Sequence, residues 1–405
     1  MKNLTLTLRK YASARAFLVF SILFYLAMYV SKTVHALWFN EQHALPLYGF
    51  SYTMMAVAGV LSFLTGRLGD IFSPSFALRT GVIFYSIGLF LRIITNSIVI
   101  AGLSGFIAGI GASLVIVSMR HWILSIGEQE DRPAIVSLKE TSRNVGTSIG
   151  TAIAGISVIG VSLVFSKPLP VVLILSAILC FSSLLFIPKI QKTNKKDTKE
   201  KEKTNSKPRV SKRLLVGVIT FGVIAGLTVS MLAPYLPIIL NNQGVSVSLI
   251  GIYMALISIC GVISSPMFSG KKINENKTKI FFLSELFVGI VTLLFILNLP
   301  SIVIPLILIL RAFFMAGSII SQELLELDMF PKYAIGMLYG FSQSSFFIGD
   351  AIGGTLGGFL YNLNQDFALL ACALLTLINA LLFTLFYKYI KQTSIAGDQC
   401  VSVAK

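Results

Sequence analysis

Charged residues are scarce in this sequence: Asp, Glu, Lys and Arg make up 12% of the 405 residues, about half their share in a soluble domain. That shortage excludes a soluble globular chain. With 55% apolar residues and a mean hydropathy of +0.83, too little polar surface remains to cover the rest. Histidine and cysteine are rarer still. His35, His43 and His121 are the three histidines, and Cys180, Cys260, Cys372 and Cys400 the four cysteines. They form no CxxC or HExxH spacing, so no metal site is expected. The P-loop pattern GxxxxGK[ST] is absent too, which argues against an ATP-driven pump. We expect neither an enzyme nor a cofactor. Acid is the scarcer sign, 17 residues against 33 basic ones, for a net charge of +16. Such a surplus suits nucleic acid only on a soluble basic domain. Here the basic residues lie in short segments between apolar runs, so no nucleic-acid partner is expected.

Long apolar runs are what the chain has in abundance. A bilayer core needs about 20 mostly apolar residues per helix. Twelve runs meet that length: 14–38, 46–66, 76–96, 98–119, 134–158 and 169–188, then 213–239, 246–268, 279–298, 301–322, 334–360 and 366–389. None alternates apolar with polar residues, so a barrel is not expected. The first run, Phe17 to Phe39, is long enough to span and lacks a small-residue cleavage site. The expected fold class is an all-α membrane protein with its partner the lipid bilayer.

Loop charge orients the spans. Lys2, Arg9, Lys10, Arg67, Arg79, Arg120, Arg132, Lys271, Lys272, Lys277, Lys279, Lys332, Lys388 and Lys391 fall on one side. The loops 40–45, 166–168, 241–245 and 361–365 on the other side carry almost no base, with Lys167 the exception and Arg92 near that face. The positive-inside rule places both termini in the cytoplasm of a multi-pass protein of the cell membrane. The expected organisation is a six-helix bundle over 1–188, a basic cytoplasmic linker over 189–212, a second six-helix bundle over 213–390 and a cytoplasmic tail over 391–405. The linker has no apolar face and reads as a disordered tether.

The two halves repeat each other. Gly49 precedes Gly59-Val60-Leu61-Ser62 by ten residues, as Gly251 precedes Gly261-Val262-Ile263-Ser264. The fifth span carries Gly146 and Gly150, and the eleventh carries Gly349 and Gly353. Small residues at this spacing let helices pack closely. Parallel repeats about an axis along the membrane normal suit alternating access around a midplane site.

Gly66-Arg67-Leu68-Gly69-Asp70, between the second and third spans, resembles the loop signature G-x-L-x-D-R-x-G-R-R of the major facilitator superfamily. Ile71, Ser73 and Pro74 depart from it, so only Gly66, Gly69 and Asp70 carry over. The resemblance implies a monomeric secondary transporter of two pseudo-symmetric bundles. It also implies that Asp70 locks the halves near the start of the eleventh span, in an outward-open state; the usual ion pair with the next residue being absent, either a weaker lock or one that uses Arg79 is expected. Gly105 stands where the family often has an arginine in the fourth span, and Thr151 replaces a proline of the exporter signature in the fifth.

Ionisable groups at membrane depth are costly and mark function by default. In the first span Tyr25, Tyr29, Lys32 and His35 form a polar stripe toward the outer mouth. In the fifth, Lys139 is expected to extend to the cytoplasm. Glu140 and Arg143, three apart, can pair as a cavity lining or as a brace. Arg311 and Asp350, the deepest opposite charges of the second half, are expected to face each other or the cavity, with Asp350 as proton carrier and Gln343 beside it. Glu285 reads as the partner of a nearby base. The slight cationic excess points to an anionic or zwitterionic small-molecule substrate, moved with proton coupling by efflux or uptake. A membrane sensor without transport is the alternative.

Overall fold

The computed structural model describes residues 2–124, 126, 128–187, 210–245, 247–297, 299–300 and 302–403, and these are helical nearly throughout, with no strand among them. A short helix α1 (Lys2–Lys10) precedes α2 (Ala12–Glu41), α3 (Leu45–Val60), α4 (Ser62–Ile71), α5 (Pro74–Leu91), α6 (Ile98–Ile123), α7 (Arg132–Ser162) and α8 (Pro168–Ser182). The second group is α9 (Lys212–Leu232), α10 (Leu236–Asn242), α11 (Val247–Ser264), α12 (Lys271–Leu293), α13 (Ile304–Met329), α14 (Ile335–Leu363) and α15 (Gln365–Val403). Residues 189–209 of the expected linker lie outside the described residues. The expected tail is helical as far as Val403, as a continuation of α15.

Local chemistry sets the helix starts. Pro74 opens α5 behind Ser73, whose Oγ accepts from the Phe76 amide, and Ser97 caps α6 through the Ile100 amide. Ten segments are long and apolar enough to cross a membrane, and the bent pair of α3 and α4 makes eleven. That agrees approximately with the twelve expected. The remaining one is α14. Its 29 residues suffice in length, but Ser342, Gln343, Ser344, Ser345, Asp350 and its glycines dilute its apolarity. The bend of 49° between α3 and α4 falls where Ser62 Oγ donates back to the Gly59 carbonyl. Such back-bonding loosens the helical ladder.

Helices of residues 12–182 pack chiefly among themselves, as do those of 212–393. The groups meet through α3, α4, α6 and α7 on one side and 265–269, α11, α13 and α14 on the other. At that meeting place Lys10 bonds Asp131, Lys271 pairs with Glu130, and Arg132 and Lys277 both reach Asp328. The loops rich in Lys and Arg therefore gather at one end, termed the basic end.

The apolar core follows the same division. One continuous cluster at the basic end joins Phe17, Phe20 and Trp122 to Ile320, Leu324 and Leu338 of the second group. At the far end the core splits. Val34, Trp38, Phe39 and Leu173 form one cluster, and Leu236, Ile239, Phe295 and Leu308 form another.

Candidate functional site

At the basic end the two groups touch backbone to backbone. A Cβ on Gly66 of α4 would overlap the Gly336 carbonyl of α14, and a Cβ on Gly336 would overlap that of Gly66. Glycine alone permits this approach. Beside it Asp70 accepts hydrogen bonds from the amides of Gly336 and Met337, both at 2.8 Å. These amides lie in the first turn of α14 and have no partner inside the helix, so the carboxylate meets the positive end of its dipole. His121 Nδ1 lies 3.6 Å from Asp70. Arg79 sits on the exposed face of α5, and the imidazole of His121, rather than Arg79, stands beside Asp70.

The two Asp70 bonds tie α4 to α14 across the groups, and each charge-assisted bond is worth about 1.5–3 kcal/mol. Asp70→Ala should therefore lower turnover by roughly tenfold or more while changing ligand affinity little. Uptake and binding measured on the same preparation check this, and an unchanged rate would count against a gating role.

A buried ionic layer lies just inside the seam. Lys139 of α7 pairs with Glu323 of α13 across the two groups, their side chains 10% and 6% exposed. The expected extension of Lys139 to water is not seen, because α13 supplies an acid within reach. Glu140 is buried and pairs with Arg143 one turn along α7, leaving the Arg143 side chain 40% exposed. Arg120 lies over the Tyr339 ring at 5.1 Å, in the field of Glu323 and Glu326, and Gln322 donates to Glu326 at 3.0 Å. Ser137 donates to the Ser265 carbonyl at 2.6 Å, Ser344 accepts from the Phe63 amide at 2.9 Å, and Phe63 stacks on Phe341.

Glu323, Glu326 and Asp328 are absent from the candidates drawn from the sequence, and Arg120 figured there only as a loop charge. A signal did exist. The stretch 322–328 reads QELLELD, three acids at an otherwise basic end.

Toward the far end, Tyr25, Tyr29 and Lys32 run along one face of α2. Arg143 feels both tyrosines, and the exposed Lys32 amine lies 5.6 Å from the Tyr29 ring centre. His35 does not continue this stripe. It is 4% exposed and packs edge-on against Phe39 and Tyr48. At 100° per residue it turns with Ser31, Val34 and Trp38, all buried.

Arg311 and Asp350 do not meet. Asp350 accepts from Ser230 of α9, whereas Arg311 donates to Thr292 of α12 at 3.2 Å. The cause is helix pairing: α14 packs on α9 and α13 on α12, which turns the two charges into different interfaces. Glu285 accepts from Ser318 and from Asn379, the latter at 2.9 Å. Gln343 is half-buried on α14. A Cβ on Gly146 or Gly150 would press on the Ile22 or Leu26 carbonyl of α2, and one on Gly349 or Gly353 on the Val223 or Leu227 carbonyl of α9. An open hollow of about 580 Å³ lies along Ala351, Thr355 and Phe359 of α14. Among the described residues no group of three His, Cys, Asp or Glu side chains could hold a metal ion.

A family model described as Major Facilitator Superfamily matches residues 14–326 and 220–396. Comparison with curated proteins finds no match. Among solved structures, the human organic anion transporter MFSD10 (TETRAN) is similar at a TM-score of 0.72 and 14% identity, covering 91% of this chain and 98% of that one. A bacterial homologue of the iron transporter ferroportin, in its outward-facing state, is similar at 0.69 and 14%, covering 94% and 99%. The proton:xylose symporter XylE bound to 6-bromo-6-deoxy-D-glucose is similar at 0.69 and 13%, covering 91% and 94%. At these identities the likeness concerns the fold.

Proposed function

The chain belongs to the Major Facilitator Superfamily and is a multi-pass membrane transporter; from that premise we propose that it moves a small organic anion or zwitterion by alternating access, coupled to protons. One observation carries this reading. The two groups share a core at the basic end and keep separate cores at the far end. Two bundles joined in this way enclose a crevice open to the far side. The positive-inside rule assigns the basic end to the cytoplasm. The conformation is then outward-facing, with both termini and 189–212 inside, bundles bounded at 1–188 and 213–390, and a monomeric unit in the cell membrane.

The choice of an anion rests on which charges stay uncommitted. Lys32 is exposed and, among the described residues, in no ion pair, whereas Arg143 is half-exposed but already pairs with Glu140; Tyr25, Tyr29 and Gln343 are their neutral company. The acids are engaged, Glu140 by Arg143 and Asp350 by Ser230. Fold neighbours that include an organic anion transporter and a proton symporter are in keeping with it.

Proteoliposomes with an imposed pH gradient test both parts. An anionic or zwitterionic solute should be moved against its gradient, and Arg143→Gln should lower its transport by roughly tenfold, the worth of one lost charge contact. Asp350→Asn should remove the response to the pH gradient while binding persists. Transport of cations alone would overturn the substrate class, and an undiminished pH response in Asp350→Asn would remove that residue from proton coupling.

A further inference from the structure

Arg92 is a buried full charge at the far-end terminus of α5 that pairs with no acid among the described residues. It closes the C-terminal end of α5 and is 4% exposed. Its guanidinium donates to Ser31 Oγ at 2.9 Å, approaches Met55 Sδ at 3.9 Å and lies against the Tyr85 hydroxyl. Its Nε is buried without a partner. His35 shares this pocket, also 4% exposed, and its Nε2 is buried without a partner. Tyr48 packs on the His35 ring and separates it from the exposed Tyr52 at the far end.

Every one of these neighbours is neutral. Glu41 and Asp70 are the two acids between residues 11 and 127. Glu41 is exposed at the C-terminal end of α2, and Asp70 is engaged at the basic end. An arginine does not shed its proton in a protein. A buried charge left unpaired is strongly unfavourable, the more so in a membrane. Free donors lie close together all the same, since Ser31 and His35 stand one turn apart on α2 and Arg92 bonds Ser31. Arg92 has an unused N–H, Ser31 accepts from Arg92 and keeps its own O–H, and a neutral imidazole can carry its proton on Nε2.

We propose that Arg92, Ser31 and His35 bind a compact monovalent anion, chloride from the medium at the far side, within the first helix group and apart from the crevice. The ion supplies the countercharge that the chain lacks there. It holds α2 and α5 together through one shared ligand. The inference rests on charge balance inside α2, α3 and α5 and is independent of which solute the crevice takes.

Thermal unfolding of the purified full-length protein tests it, in sodium chloride against sodium gluconate at equal ionic strength. Gluconate is too large to stand in for chloride at a site as buried as Arg92 and His35. The Tm of the wild type should rise saturably with chloride, as binding to the folded state requires. Arg92→Gln should abolish that dependence. Ser31→Ala, a small change suited to keeping the fold, should raise the half-saturating chloride by roughly tenfold, the loss of one bond to a charge. Equal Tm values in both salts for the wild type would overturn the proposal. So would an unchanged chloride dependence in Ser31→Ala, which decides the matter should Arg92→Gln fail to fold.

Discussion

Glu323→Leu is expected to cost this protein the stability of its closed basic end. Lys139 would be left buried and without its partner in that conformation, since its side chain is 10% exposed there. Breaking a buried pair by removing one member costs about 3–5 kcal/mol. Once the seam parts, Lys139 can reach water, so the penalty falls on the closed state alone. The balance should shift by roughly two to three powers of ten toward opening at this end. Transport should fall with it, because a carrier held in one state cannot cycle. Hydrogen exchange over 265–269, opposite Ser137, should speed up. Removing both charges restores an apolar seam, and such replacements are often neutral. Lys139→Leu combined with Glu323→Leu should therefore recover much of the protection. A double variant as exposed as the single one would show that the pair does not act as a unit.

Gly66→Val should abolish transport while leaving the protein folded. The neighbour of Gly66 is a backbone carbonyl, that of Gly336, and Gly340 Cα lies 3.0 Å from where the Cβ would stand. Neither can swing aside as a side-chain tip would, and overpacking against rigid neighbours forces the elements apart. The clash exists only where α4 meets α14, so each helix group keeps its own core. Gly155→Val serves as the control, because a Cβ there meets nothing within 4 Å. Normal uptake by Gly66→Val, or equal loss in both variants, would rule out the close approach as the cause.

Local spacing was the legible part of the candidate site. Glu140 and Arg143 stand one helical turn apart, and that alone puts them within reach of each other. The contact of Asp70 with the start of α14 was anticipated from a five-residue motif, while its nearby base was not: His121 occupies the place given to Arg79. Lys139 and Glu323 are 184 positions apart, and nothing in either local pattern indicates the other. Depth within a span was readable for Arg311 and Asp350, but rotation about the helix axis was not. Lys32 and His35 show the same limit at close range. Three residues apart, one is exposed and the other is buried among aromatic rings.

With the loop motif Gly66–Asp70 pointing to the family, composition and the order of apolar runs were enough to determine a helical membrane protein, the approximate number of its spans and the loops that share an end. These depend on the transfer of each segment from water to lipid, a property each stretch of chain carries alone. The tertiary structure decided which charges meet, which faces are buried and that the groups close at the basic end. Those outcomes depend on which helices become neighbours and how each is turned.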